Sequence, residues 1–414
     1  MSWIRGDAID APQIAENVAR ASYGRLVAYL AARSRNVAAA EDALGDALLA
    51  ALETWPRAGV PEKPEACLLA VARRRLIDEG RHARVEVMAA STLQIVVEGA
   101  AREAEATAAF PDERLKLLFV CAHPALDEST RTPLMLQTVL GLDAARIASA
   151  FLVAPATMGQ RLVRVKAKIR DAGIRFEIPD PQELPARLEA VIEAIYAAYG
   201  SGWEDVAGAD PRRKGLAEEA ISLGRLLTQL LPDEPEAYGL LALMLYCEAR
   251  RGARRDADGR YVPLSRQNIA RWSGPMIEEA ERMLDAASRF GKPGRFQLEA
   301  AIQSVHAQRA VTGQTDWDAI VLLYEGLMRL APTIGARVGH AAALAEAKGA
   351  EAGLAALDAI PSEAVQSYQP YWALSAHLRK RLGRGEQAKQ AYARAIGLSE
   401  DPAVRDFLAN EQPI

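Results

Sequence analysis

The chain has only three cysteines in 414 residues, Cys67, Cys121 and Cys247, odd in number and far apart. That pattern argues for a reducing compartment rather than a disulfide framework. Long apolar runs are missing too: the longest, Tyr238 to Cys247, falls well short of the roughly 18 residues that a membrane helix needs. The N-terminal MSWIRGDAID has no signal-peptide core. These gaps predict a soluble cytoplasmic protein that makes no use of a membrane. Alternation at the strand period is scarce. There is no phosphate-cradling glycine loop and no nucleophile elbow. Histidines are few; His82, His306, His340 and His377 are scattered, and only His123 stands near a cysteine, Cys121. No further ligand completes a zinc set around that pair. It reads as a buried thiol beside a loop imidazole. The residues therefore predict no enzyme, no cofactor and no metal.

What the chain does have is apolar residues at helical spacing. Half of it is hydrophobic and the net charge is -4, so a sizeable core is available and mild acidity alone names no partner. The pattern predicts an all-α protein. Residues 9–84 read as a first small helical domain, 85–110 as a linker, 111–177 as a second small helical domain, and 185–414 as a long helical region. Pro179, Pro181 and Pro185 mark the boundary before that last region. It carries weak repeats. Tyr371 to Leu398 reads as helix, glycine-containing turn, helix, and "DAIVLLYEGLMRLAPTIGARVGHAAALAEAKG" reads as a second such unit. An α-solenoid-like, tetratricopeptide-type domain is predicted there.

The most informative stretch is "IASAFLVAPATMGQRLVRVKAKIR", Ile147 to Arg170. Asp143 caps a first helix with Ile147, Ala148 and Phe151 inward. Pro155 cannot lie inside that helix, so the chain turns near Leu152. A second helix follows, with Met158, Leu162, Val165 and Ile169 forming a buried stripe. Thr157, Gln160, Arg161, Arg164 and Lys168 fall off that stripe. A short helix, a tight turn and a basic second helix is the layout of a DNA-reading unit. The cations neutralise phosphates, and Gln160 and Arg161 reach base edges. The competing reading is a solvated basic face on an ordinary helical hairpin.

Upstream, "AAEDALGDALLAALETW" places Leu44, Leu48, Leu52 and Trp55 on one face and Asp42, Asp46 and Glu53 elsewhere. A proline-rich loop follows, then a helix with Leu69, Ala72 and Leu76 inward. That helix bears Arg73, Arg74, Arg75, Arg81 and Arg84. Two basic clusters in two helical domains suggest a two-part nucleic-acid contact.

The order of these three segments resembles the extracytoplasmic-function (ECF) sigma factors of the sigma-70 family, over roughly residues 10 to 177. The first two segments look like region two and the third like region four. The rest looks like the subgroup with a tetratricopeptide-like C-terminal extension. "LLFVCAHPALDESTRTPLMLQ" also fits that subgroup. The resemblance implies an alternative sigma factor that binds core RNA polymerase and promoter DNA, with a regulatory protein as a third partner of the C-terminal domain. By the same resemblance, Asp42, Leu44, Asp46 and Leu49 contact the polymerase. The segment Trp55 to Glu65 with Arg73, Arg74, Arg75 and Arg81 reads and melts the minus-ten element as single strand. Thr157, Gln160, Arg161 and Arg164 read the minus-thirty-five element, with Lys168 on the phosphates. Three positions depart from the family pattern: Cys67 replaces a tryptophan, Arg74 an asparagine and Gly159 a lysine. A stand-alone helix-turn-helix regulator and a tetratricopeptide scaffold with an incidental helix-turn-helix are the alternatives. Neither has a use for both the acidic helix and the arginine-rich helix of residues 39–85.

Overall fold

The structure is a computed structural model that describes residues 11–82, 112–150, 153–180, 182–204 and 216–413. The expected linker, Arg84, and the turn residues Phe151 and Leu152 lie outside the described residues. The described chain is all-α, without a strand among those residues; an isolated bridge joins Arg255 and Tyr261. None of the described helices is long and apolar enough to cross a membrane. The residues divide into two compact units, Met1–Ala198 and Tyr199–Ile414.

In the first unit, α1 (Ala11–Ser34), α2 (Val37–Ala58) and α3 (Pro64–His82) pack on one another. Asn36 starts α2 by accepting the Ala39 amide hydrogen at 3.2 Å, as a helix cap does. Glu65 of α3 accepts hydrogen bonds from Ser22 and Arg25, which ties α3 to α1. Against α1 lie α4 (Arg114–Cys121) and α5 (Glu128–Thr138). A Cβ at Gly24 of α1 would overlap the Val139 carbonyl just past the end of α5, so the two backbones meet only because residue 24 has no side chain. Helices α6 (Ala144–Ala150) and α7 (Pro155–Asp171) follow, and α7 also touches α2 and α5. Helix α8 (Leu184–Glu204) runs across the division between the units.

The second unit is organised around α10 (Pro235–Ala249), which holds the longest apolar run of the sequence and is buried nearly all round. It packs on α9 (Leu216–Leu230), α11 (Gly274–Ser288) and α12 (Arg295–Thr312). Helices α13 (Trp317–Leu330), α14 (Ile334–Ala347), α15 (Ala350–Asp358), α16 (Ser362–Val365), α17 (Gln369–Arg381), α18 (Gly385–Leu398) and α19 (Pro402–Asn410) continue the chain. From α12 to α15 each helix packs on the next. Beyond the short α16, the sequence α15, α17, α18, α19 does the same. Asp316 and Thr333 cap α13 and α14, and Gly383 turns the chain between α17 and α18 with φ of 70°.

Candidate nucleic-acid interface

Helix α7 stands on its predicted stripe: Met158, Leu162, Val165 and Ile169 are all buried. Asp143 caps α6, its Oδ1 accepting the Arg146 amide hydrogen at 2.9 Å. Ile147 and Ala148 are buried beneath it. Pro155 occupies the first turn of α7, where no side chain caps the helix, so the missing proline N–H costs nothing.

With about 100° per residue, the side of α7 opposite the stripe is centred on Gln160. Val163 and Arg164 flank it, and all three are exposed. Thr157, Arg161 and Lys168 are also exposed but lie on one shoulder. The Lys168 charge reaches Asp127, whose carboxyl is held below its ordinary value chiefly by Ser129 and also by that lysine. Lys166 leaves the row of cations altogether. Its Nζ donates to Glu41 Oε2 of α2 at 2.6 Å, with both side chains nearly covered. Burial pushes the Glu41 carboxyl up, and Lys166 offsets part of that rise.

On α2 the expected alignment needs correction. Ala40, Ala43, Leu44, Ala47, Ala51 and Trp55 form the buried stripe, while Leu52 is 42% exposed. Successive steps of four residues each overshoot one turn by about 40°, so Leu52 has rotated away from Leu44. Leu44 itself, expected at the polymerase contact, is fully buried and presents nothing to a partner. Trp55, expected to border the single-strand loop, is buried as well. Asp42, Asp46 and Leu49 are exposed.

On α3, Leu69 and Ala72 are buried and Arg73 and Arg75 are exposed, with Arg74 half-buried. Arg81 lies near the end of the helix. Arg75 Nε stands 3.7 Å from Asp46 Oδ2, which joins the arginine-rich helix to the acidic face of α2. Cys67 is buried, and that burial pushes its thiol up to about 11.

Sequence reasoning missed the apolar members of these faces. Leu52, Ile77 and Val163 are exposed by 42%, 53% and 66%, beside Leu49 at 61%. Four of the five large apolar side chains exposed in the first unit therefore sit on α2, α3 or α7, each among charges. Their positions off the buried stripes were the available signal.

Elsewhere in the unit, Cys121 Sγ lies 3.6 Å from Thr138 Oγ1, and burial pushes its thiol up to about 12. His123 Nδ1 accepts the Ala125 amide hydrogen at 3.1 Å. Among the described residues, no three His, Cys, Asp or Glu side chains group as metal ligands.

Over 379 residues the chain is 40% identical to the uncharacterized protein R00370 of Rhizobium meliloti (strain 1021), covering 90% of this chain and 89% of that protein. A family of unknown function, DUF6596, matches residues 187–288, from within α8 to the end of α11. No solved structure matches.

Proposed function

This chain belongs to the family of R00370, and we propose that it acts as an alternative sigma factor, directing core RNA polymerase to promoters. The observation that carries this reading is the exposed side of α7. Gln160, Arg161, Arg164 and Lys168 project from a helix whose opposite stripe is buried and which comes next in the chain after the short helix α6. That arrangement suits insertion in a major groove. Arg161, expected at a base edge, lies on the shoulder and is reassigned to the phosphates with Lys168, while Arg164 joins Gln160 in reading base edges.

The acidic face of α2, with Asp42, Asp46 and Leu49, serves as the polymerase contact. The arginines of α3, Arg73, Arg74, Arg75 and Arg81, serve strand melting. The helical second unit serves as a tetratricopeptide-like extension that binds a regulatory protein or the polymerase itself. No cofactor takes part, and the chemistry of RNA synthesis belongs to the polymerase.

Run-off transcription with core polymerase on genomic fragments tests the reading. Arg164→Ala should weaken initiation by the equivalent of about 1–3 kcal/mol, selectively at promoters that carry a particular upstream base. Lys168→Ala should weaken all promoters alike and lower the salt dependence by about one charge. Two variants that behave identically across promoter mutants would remove base readout from Arg164. Absence of any promoter-directed transcript would remove the function.

A further inference from the structure

We propose that Val163 reads a thymine methyl group in the major groove, and so fixes one base of the upstream element. The inference rests on the sigma-factor reading and adds to it a contact that charge alone does not supply. Val163 is 66% exposed, the most exposed large apolar side chain described in the first unit. It lies beside Gln160 and across from Arg164 on the outward side of α7. A β-branched residue in an exposed helical position is also a poor helix former compared with alanine. The fold thus gains nothing from valine here.

A duplex does. The C5-methyl of thymine is the one apolar group on the floor of the major groove, set among the donors and acceptors that glutamine and arginine read. Two residues on the same side of a helix three positions apart are separated by about 4.5 Å along the axis, close to one base-pair step. Val163 therefore meets the base pair next to the one that Gln160 meets.

A short side chain reaches a base only if the helix lies deep in the groove. Three neighbours make that possible. Ala156 is exposed and small, Ala167 is small, and Gly159 has no side chain at all. A Cβ built at Gly159 would touch nothing within 4 Å, so the packing of the protein gives no reason for glycine there. Glycine inside a helix costs stability relative to alanine, and the space it leaves is on the flank of α7, one turn from Val163.

The experiment uses the full chain with core polymerase. Duplexes that the complex selects from a randomised pool are remade with deoxyuridine in place of each thymine in turn, which removes the methyl and nothing else. One position should lose about fourfold in binding, the value of one buried methyl. Val163→Ala should bind the thymine and uracil duplexes equally at that position, while keeping its response at all others. Circular dichroism should find Val163→Ala folded, because the residue is exposed.

If uracil is tolerated everywhere by the unaltered chain, or if Val163→Ala keeps the same discrimination, the contact is wrong and the sigma-factor reading survives. If neither the chain nor its complex selects any duplex, both fall.

Discussion

A single side chain sets an acid limit on the second unit. His306 of α12 lies edge-to-face on Trp317 with ring centres 5.4 Å apart. Burial, with help from Arg250 and Arg309, lowers its pKa from 6.5 to about 4. The folded value is below the unfolded one, so the fold favours the neutral ring. The corresponding stability is complete above pH 6.5 and is lost as the pH falls from 6.5 towards 4, on the order of 3 kcal/mol in all. Thermal unfolding of the full chain across that window should show the second unit weakening. His306→Phe, which keeps an aromatic ring against Trp317, should flatten the dependence relative to the unaltered chain. An equal slope in both would assign the acid sensitivity to carboxylates. At this scale the sequence was legible where a residue answers to near neighbours: Met158, Leu162, Val165 and Ile169 are buried as their spacing predicts. It was not legible where a residue answers to a distant one. Lys166 looks like any cation of α7, because its partner Glu41 lies 125 positions away.

Helices show the same division. The existence of α2, α3, α6 and α7 follows from apolar period, caps and prolines, all of which are local. The facing of α2 was read wrongly because the leucines were followed and the alanines were not. Ala40, Ala43, Ala47 and Ala51 carry the stripe, and small residues there let neighbouring helices come close while Leu49 and Leu52 turn outward. That correction sharpens the test of the polymerase contact. Leu44→Asp would bury an unpaired charge and unfold the unit, so it reports on nothing but folding. Asp42→Arg combined with Asp46→Arg changes exposed groups only. The Arg75–Asp46 pair it breaks is half exposed and contributes at most about 1 kcal/mol. The double variant should keep its helicity and lose at least about tenfold in affinity for core polymerase, since placing like charges together costs several kcal/mol. Unchanged affinity in a pull-down titration would take α2 out of the interface.

For the whole molecule the open matter is what more than half of the chain adds to the first unit, which we propose reads promoters. Tyr199–Ile414 has cores of its own. One gathers Val338, Leu354, Leu357 and Leu378, and another gathers Tyr392, Ala395 and Leu408. Stacked helix pairs of this kind suit the binding of protein segments. Tyr368 and Tyr371 pack, partly buried, against the first of these cores and Trp372 against the second. Two roles compete: the extension adds contacts that the active complex requires, or it holds the promoter-reading unit idle. The first is the role we propose. A chain ending at Glu177 separates them in run-off transcription. That cut also removes α8, whose Leu188, Val191, Ile192 and Ile195 are buried, so circular dichroism and thermal unfolding must first establish that the shortened chain folds. Given a folded product, initiation should fall below that of the full chain, and the second unit added as a separate chain should restore part of it. Higher activity in the shortened chain would overturn the required-contact role and assign the extension to inhibition. Equal activity would assign it to a partner outside the polymerase.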